Sequence, residues 1–365
     1  MQPAPSTATH SAGFTGRMFV GPVFDYLWIG AGASLPVLAL VLFGSSLPGI
    51  GPLANGMASL ADPALLPFVV LLFSSTHFAA STVRLYTKPG AVASLPFVTL
   101  VLPVVFLALL SFCVLVSDTL GRHLQALYLT WSPYHYAAQA YGLAVMYCYR
   151  SGCAIDGKSK KLLRVLALAP FVSVFLTMPG VGLSWLLPES ARAAAPVQSA
   201  LAGIAPVLAL ISLVGPLALF AAYARRAAPM PAIAPLLLAV NAVWWLALPP
   251  LQAFVWATFF HGIQYLAIVV IFHVREHEGL AGGRRGALAQ AGLFYAGCLA
   301  LGYALFNCLP QAYVFAGAST TESLLLVIAA VNIHHFVVDG FIWKLGRRDA
   351  NRAVVDADAA LAPAA

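Results

Sequence analysis

Residues 323–348 read SLLLVIAAVNIHHFVVDGFIWKLGRR. The stretch 323–343 contains no lysine or arginine and then meets a basic cluster at Lys344, Arg347 and Arg348. A run of about 20 mostly apolar residues spans the hydrocarbon core of a bilayer as a helix. Yet this run also carries Asn332, His334, His335 and Asp339. Polar and ionisable groups are costly at that depth and normally face the bundle interior or a cavity. The stretch therefore reads as a transmembrane helix with one wall of a buried polar site.

The rest of the chain agrees with that reading. Of its 365 residues, 61% are hydrophobic and 8% charged, against roughly a quarter charged in soluble domains. Such a chain cannot cover a soluble surface with polar groups. Backbone amides within lipid must bond internally, so the apolar runs are expected to be helices. Short alternating segments of the β-barrel kind are missing. The fold class predicted is all-α, a polytopic integral membrane bundle. Its ten spans lie near 24–45, 63–86, 92–117, 125–149, 163–187, 199–223, 232–249, 251–274, 287–308 and 320–343. Residues 1–20 are expected to be a flexible tail, 21–348 a single transmembrane domain and 349–365 a disordered tail.

The net charge of +7 would suit nucleic acid only if the basic residues formed a patch. Instead they punctuate the ends of even-numbered spans, at Arg84, Lys88, Arg150, Lys158, Lys160, Lys161, Arg164, Arg225, Arg226, Arg275 and Lys344. The positive-inside rule then places both termini in the cytoplasm and excludes nucleic acid as the natural partner. The five cysteines form no CxxC pair, so neither a disulfide framework nor a zinc ribbon is expected. Phosphate-loop, HExxH and GxSxG motifs are missing from the sequence. GAGAS at 30–34 reads as small-residue packing within the first span.

Counting back from each basic anchor compares depths. His77 lies seven residues before Arg84, His135 fifteen before Arg150, His261 fourteen before Arg275, and His334 and His335 ten and nine before Lys344. At about 1.5 Å per residue these histidines share a band roughly 10–22 Å from the anchors. They come from four helices of one direction, and imidazoles meeting at one depth suit iron, copper or zinc. Helical spacing puts His77, Ser81 and Arg84 on one stripe, and Asn332, His335 and Asp339 on another. Metal-bound histidines donate their second N–H to an outer acceptor; Gln139, Gln264, Asn332 and Asp339 are the candidates, with Ser81 and Arg84 nearby. A buried histidine can equally serve as an interhelix hydrogen-bonding group, so convergence in space decides between the two. His273 and His277, in HVREHE, read as a solvated face.

At these residues the chain resembles the Brp/Blh-type membrane β-carotene dioxygenases, polytopic bacterial proteins that hold iron with intramembrane histidines. His77-Phe78, LPPLQAFVWATFFHGIQY and HHFVVDGFIWK carry the likeness. Tyr265 stands where that family has the second histidine of an HxxxH, the family's early Pro-His-Gly has no match, and His135 has no family counterpart. The resemblance favours His334 by its spacing to Asp339, whereas the helical stripe favours His335, and both stay open. The resemblance implies iron, O₂, an isoprenoid or other membrane-lipid substrate and a bacterial-type inner membrane. Taken with the shared depth of the histidines, the expected ligands are His77, His135, His261 and His334 or His335. Tyr265 and Asp339 are the expected catalytic groups. Two other classes fit the same residues: a b-type haem protein with His135 and His261 as axial ligands, and a proton-coupled transporter.

Overall fold

The computed structural model describes residues 13–46, 49, 51, 70–88, 90–277, 283–345 and 350–356, and every regular element among them is helical. The helices are α1 (Pro22–Ile29), α2 (Ser34–Ser46), α3 (70–87), α4 (Phe97–Leu115), α5 (Arg122–Arg150), α6 (Gly157–Thr177), α7 (Ala195–Ala224), α8 (Ile233–Ala247), α9 (Pro250–Glu276), α10 (Arg285–Phe315), α11 (Thr320–Ile342) and α12 (Ala350–Asp356). Five of them, α4, α7, α9, α10 and α11, are long and apolar enough to cross a membrane.

The first expected span is not one rod. Its GAGAS stretch holds the break between α1 and α2, which are bent by 51°. Ala31 there adopts φ 51, a left-handed conformation that a side chain makes costly. The Ile29 carbonyl released at the break accepts from Gln264 Nε2 at 3.0 Å. Of the second expected span, residues 63–69 lie outside the described residues. The fourth, α5, is 29 residues long, but its internal Trp131, Ser132, His135 and Gln139 lower its apolarity. The fifth stops at Thr177, and the seventh is only 15 residues. Pro249 and Pro250 separate α8 from α9, since proline at a helix start loses no hydrogen bond.

Exposure sorts the helices into layers. In the most apolar stretches of α9 and α11, 61% of residues are buried, against 17% in α7 and α10. The outer helices turn Leu, Val and Phe side chains outward, with Leu115 82% and Phe315 88% exposed. Apolar surface on that scale suits lipid rather than water. α3, α5, α9 and α11 pack on one another, α3 and α5 each touching both α9 and α11. α4, α8 and α10 back this square.

Two glycines set its tightness. A Cβ at Gly262 on α9 would stand 2.7 Å from His77 Nδ1, and one at Gly302 on α10 would stand 2.8 Å from the Ser75 carbonyl oxygen. Small residues at helix crossings let backbones approach. Both glycines bear on the turn that presents His77. That turn follows a π-helical segment, Val70–Ser75, a distortion common at functional sites.

The end of the bundle where α5 and α9 finish departs from expectation. Arg84, Arg150 and Arg275 are not solvated anchors but are 0%, 6% and 8% exposed. Arg150 donates to the carbonyls of Met18 and Val355, and Arg275 to those of Phe19 and Val354. Both guanidinium groups also lie over the Phe19 ring, at 4.5 and 5.2 Å. They thus bind the N-terminal segment and α12 to the bundle core. The expected tails are corrected accordingly. Residues 13–20 pack, with Phe19 fully buried, and 350–356 form a docked helix with Val355 buried. Carbonyls at open chain ends need donors, and the arginines supply them. Residues 1–12 and 357–365 lie outside the described residues.

Asp25, missed in the sequence, closes the same end. Its carboxylate accepts from the Phe19, Val20 and Gly21 N–H groups at 2.5, 3.0 and 3.1 Å and from Tyr147 Oη at 2.7 Å. The only signal was a lone acid at the head of an apolar run. In the loop after α5, Asp156 caps α6 by accepting from Ser159 N–H at 2.7 Å. That hydrogen bond holds its carboxyl below the usual carboxylate range.

Candidate metal centre

Each helix of the central square contributes one imidazole. His77 comes from α3, His135 from α5, His261 from α9 and His335 from α11. Their ring centroids form a closed circuit: His77 to His261 5.2 Å, His261 to His135 4.9 Å, His135 to His335 4.9 Å and His335 to His77 5.3 Å. All four are buried, at 0%, 8%, 4% and 0% exposure for residues 77, 135, 261 and 335.

Their nitrogens are largely without partners. Both ring nitrogens of His77 and of His261, and Nε2 of His135 and of His335, are buried with no hydrogen bond. Leaving a buried polar atom unsatisfied costs about 1–3 kcal/mol. A neutral imidazole carries one N–H and one bare nitrogen, so the four rings offer four lone pairs, a set that a shared cation could take up. His77, His261 and His335 can each offer one ligand atom within 4.8 Å of the others, and so can His135, His335 and Asp339. His335 belongs to both groups. Ser81 Oγ lies 2.8 Å from its Nδ1, which leaves Nε2 for the interior.

Asp339 is held so that its two oxygens do different things. Tyr265 Oη donates to Oδ1 at 2.7 Å, and Trp343 Nε1 donates to Tyr265 Oη at 3.2 Å. Oδ2 faces His135 Nε2 at 3.7 Å and His335 Nε2 at 3.6 Å. Two ligand atoms each about 2.1 Å from one ion in tetrahedral geometry stand about 3.4 Å apart. The observed separations are a few tenths wider. Aromatic rings wall the group: Phe336 stacks on His135 at 4.4 Å, and Tyr136 lies 4.4 Å from His261.

The remaining candidates divide. His334 is not brought into the cluster; it is only partly buried and its ring meets Phe106 at 5.3 Å. The adjacent positions on α11 face different neighbours, as helical geometry requires. Gln139 donates to the His261 carbonyl at 3.2 Å and to Gln264 Oε1 at 3.4 Å, so it steadies the α9 backbone rather than an imidazole. Gln264 caps the end of α1, as above. Asn332 donates within its own helix to the Ile328 carbonyl at 2.7 Å. Arg84 is one layer removed. It donates to Glu276 Oε1 at 2.8 Å and Asn351 Oδ1 at 2.7 Å, and its guanidinium lies 4.1 Å from the Trp343 ring centre. Trp343 was not singled out in the sequence, although it follows Asp339 by four residues on the same face.

His273 and His277 also differ from expectation. His273 is 8% exposed and stacks on Phe294 at 4.3 Å. His277 Nδ1 contacts the His273 carbonyl at 2.8 Å and Nε2 the Thr87 carbonyl at 3.2 Å. His273 is thus buried at the end of α9 against α10, while the partly exposed His277 bridges to α3.

A cavity lined in part by His135 and Asp339 reaches the centre. It has a volume of about 900 Å³ and runs between α5 and α11 from His135 and Asp339 to Lys160, Lys161 and Arg164. No family model, curated protein or solved structure matches this chain.

Proposed function

We propose that this protein is a membrane metalloenzyme in which His77, His135, His261, His335 and Asp339 hold iron, with copper or zinc as the alternatives, and which uses O₂ to oxidise an apolar lipid or isoprenoid. The observation that carries the reading is the circuit of four buried imidazoles with unpartnered nitrogens. Ligands must be deprotonated and directed inward to bind a metal, and these are directed inward with few other partners. Few thiolates or carboxylates compete, which favours a metal that accepts imidazole.

An iron ion held there supplies the redox chemistry that O₂ requires. The chain's own residues do the rest. Ser81 fixes the orientation of the His335 ring. Trp343 orients Tyr265, and Tyr265 pins one oxygen of Asp339 while the other faces the histidines. Tyr265 also lines the cavity, so its hydroxyl, bonded to Asp339, is the group that would hold or return a proton near a bound substrate. Phe336 and Tyr136 pack against the His135 and His261 rings, and the cavity delivers a hydrophobic chain to His135.

This reading includes ten spans with both termini in the cytoplasm and a bacterial-type inner membrane. It also keeps the chemistry of the Brp/Blh-type enzymes that HHFVVDGFIWK resembles. The haem alternative has less support, because rings 4.9 Å apart and edge to face leave no room for a porphyrin between His135 and His261. The experiment is O₂ uptake by the purified protein with long-chain lipid and isoprenoid substrates, before and after chelation. Uptake that chelation abolishes and iron restores is the expected result. Protein that holds iron yet consumes no O₂ with any such substrate would rule out the oxygenase reading.

A further inference from the structure

The mouth of the 900 Å³ cavity contains a chemistry that the oxygenase reading does not use. Lys160, Lys161 and Arg164 line it, at the start of α6, and none of them forms an ion pair among the described residues. Lys160 Nζ donates to Tyr149 Oη at 3.2 Å; Lys161 and Arg164 are exposed. The nearby Arg352 is already paired with Asp356 at 2.8 Å. Basic residues at a span end are ordinarily topology anchors, and Arg225 and Arg226 fit that account. These three differ because they line a cavity that also touches His135, 8% exposed with Nε2 unpartnered.

Between His135 and the basic residues the walls are apolar and aromatic, including Tyr141, Ile268, Phe336 and Phe341, and beyond His135 the lining continues one turn to Trp131. Along α5 the part of the cavity from His135 to Tyr149 covers fourteen residues, which at about 1.5 Å each make roughly 21 Å. An extended chain advances about 1.2 Å per bond, so some 16–18 carbons fill that length. The volume lies within the range of about 300–1,000 Å³ usual for small-molecule sites.

We propose that the cavity binds a single-chain amphipathic anion. Its carboxylate or phosphate head lies against Lys160, Lys161 and Arg164, and its apolar chain of 16–18 carbons extends to His135. This names a substrate class for the proposed enzyme and rests on that reading for its chemical consequence, though the binding itself does not need a metal. The head fixes register, so one segment of chain is placed at the histidines.

The test uses the full-length protein in phosphatidylcholine nanodiscs, with binding corrected against empty discs. Radiolabelled palmitate and geranylgeranyl phosphate, both with 16-carbon backbones, are compared with hexadecanol and geranylgeraniol. Each anion is expected to bind at least about tenfold more tightly than its alcohol, a preference that salt weakens. The Lys161→Ala/Arg164→Ala double variant removes that preference and leaves alcohol binding as it was. Gly142 lines the cavity and a Cβ there meets nothing within 4 Å, so Gly142→Phe narrows the cavity and is expected to weaken binding of all four probes alike. Which anion binds more tightly identifies the head as carboxylate or phosphate. Equal affinity for anions and alcohols, a preference that survives the double variant, or full binding to Gly142→Phe would overturn the proposal. Metal content is measured on the same preparations and separates the two ideas. Metal without anion preference removes the substrate class alone, whereas anion preference without metal removes the enzyme alone.

Discussion

His335→Ala is expected to lower the bound metal by at least about 10–100-fold, the range that losing even an outer hydrogen-bond partner of a ligand reaches. His335 is the one residue common to both ligand groups, His77–His261–His335 and His135–His335–Asp339. Its loss breaks both. His261→Ala leaves the second group complete and Asp339→Asn leaves the first, so each should retain more metal than His335→Ala. His334→Ala, one residue away but against Phe106, should retain wild-type metal. Elemental analysis of protein purified without chelators reads the order. Equal metal in His335→Ala and the wild type would remove His335 from the site.

The largest stability effect is expected from Arg84→Ala. Arg84 is fully buried, and its partner Glu276 has a side chain only 7% exposed. Lys88 Nζ also lies 3.5 Å from Glu276 Oε1, with its side chain 24% exposed. Removing Arg84 therefore leaves that carboxylate one longer, more exposed pairing, and the loss is expected at the low end of the about 3–5 kcal/mol that breaking a buried pair costs. The change also takes a donor from Asn351 and a cation from the Trp343 face, so α12 should loosen. Thermal unfolding in detergent should show the loss, and Arg84→Met combined with Glu276→Gln should recover part of it, since neither charge is then stranded. A single variant as stable as the wild type would mean that the Arg84 contacts contribute no net stability.

How much of this was legible in the sequence depends on the distance over which each feature is determined. Depth counting brought His77, His135 and His261 into register because helix rise is local and constant. The i, i+3, i+7 stripe through Asn332, His335 and Asp339 identified the face of α11 that looks inward. The spacing to Asp339 that favoured His334 carried no such directional information. The roles of Gln139 and Gln264 were not legible. One depends on where α9 crosses α5, and the other on a break in the first span that exposes the Ile29 carbonyl. GAGAS was read as packing, yet its small residues are what allow the chain to turn there. Arg150 and Arg275 looked like topology anchors because their partners, the segment around Phe19 and helix α12, lie more than 70 residues away in sequence. Long-range contacts of that kind leave no periodic trace.

X-ray absorption at the metal edge of the wild-type protein, purified without added metal or chelator, tests the central claim most directly. It should show a bound transition metal with nitrogen and oxygen neighbours at about 2.0–2.2 Å and the outer scattering pattern of several imidazoles. Metal-free protein, or an edge dominated by sulfur neighbours, would contradict it.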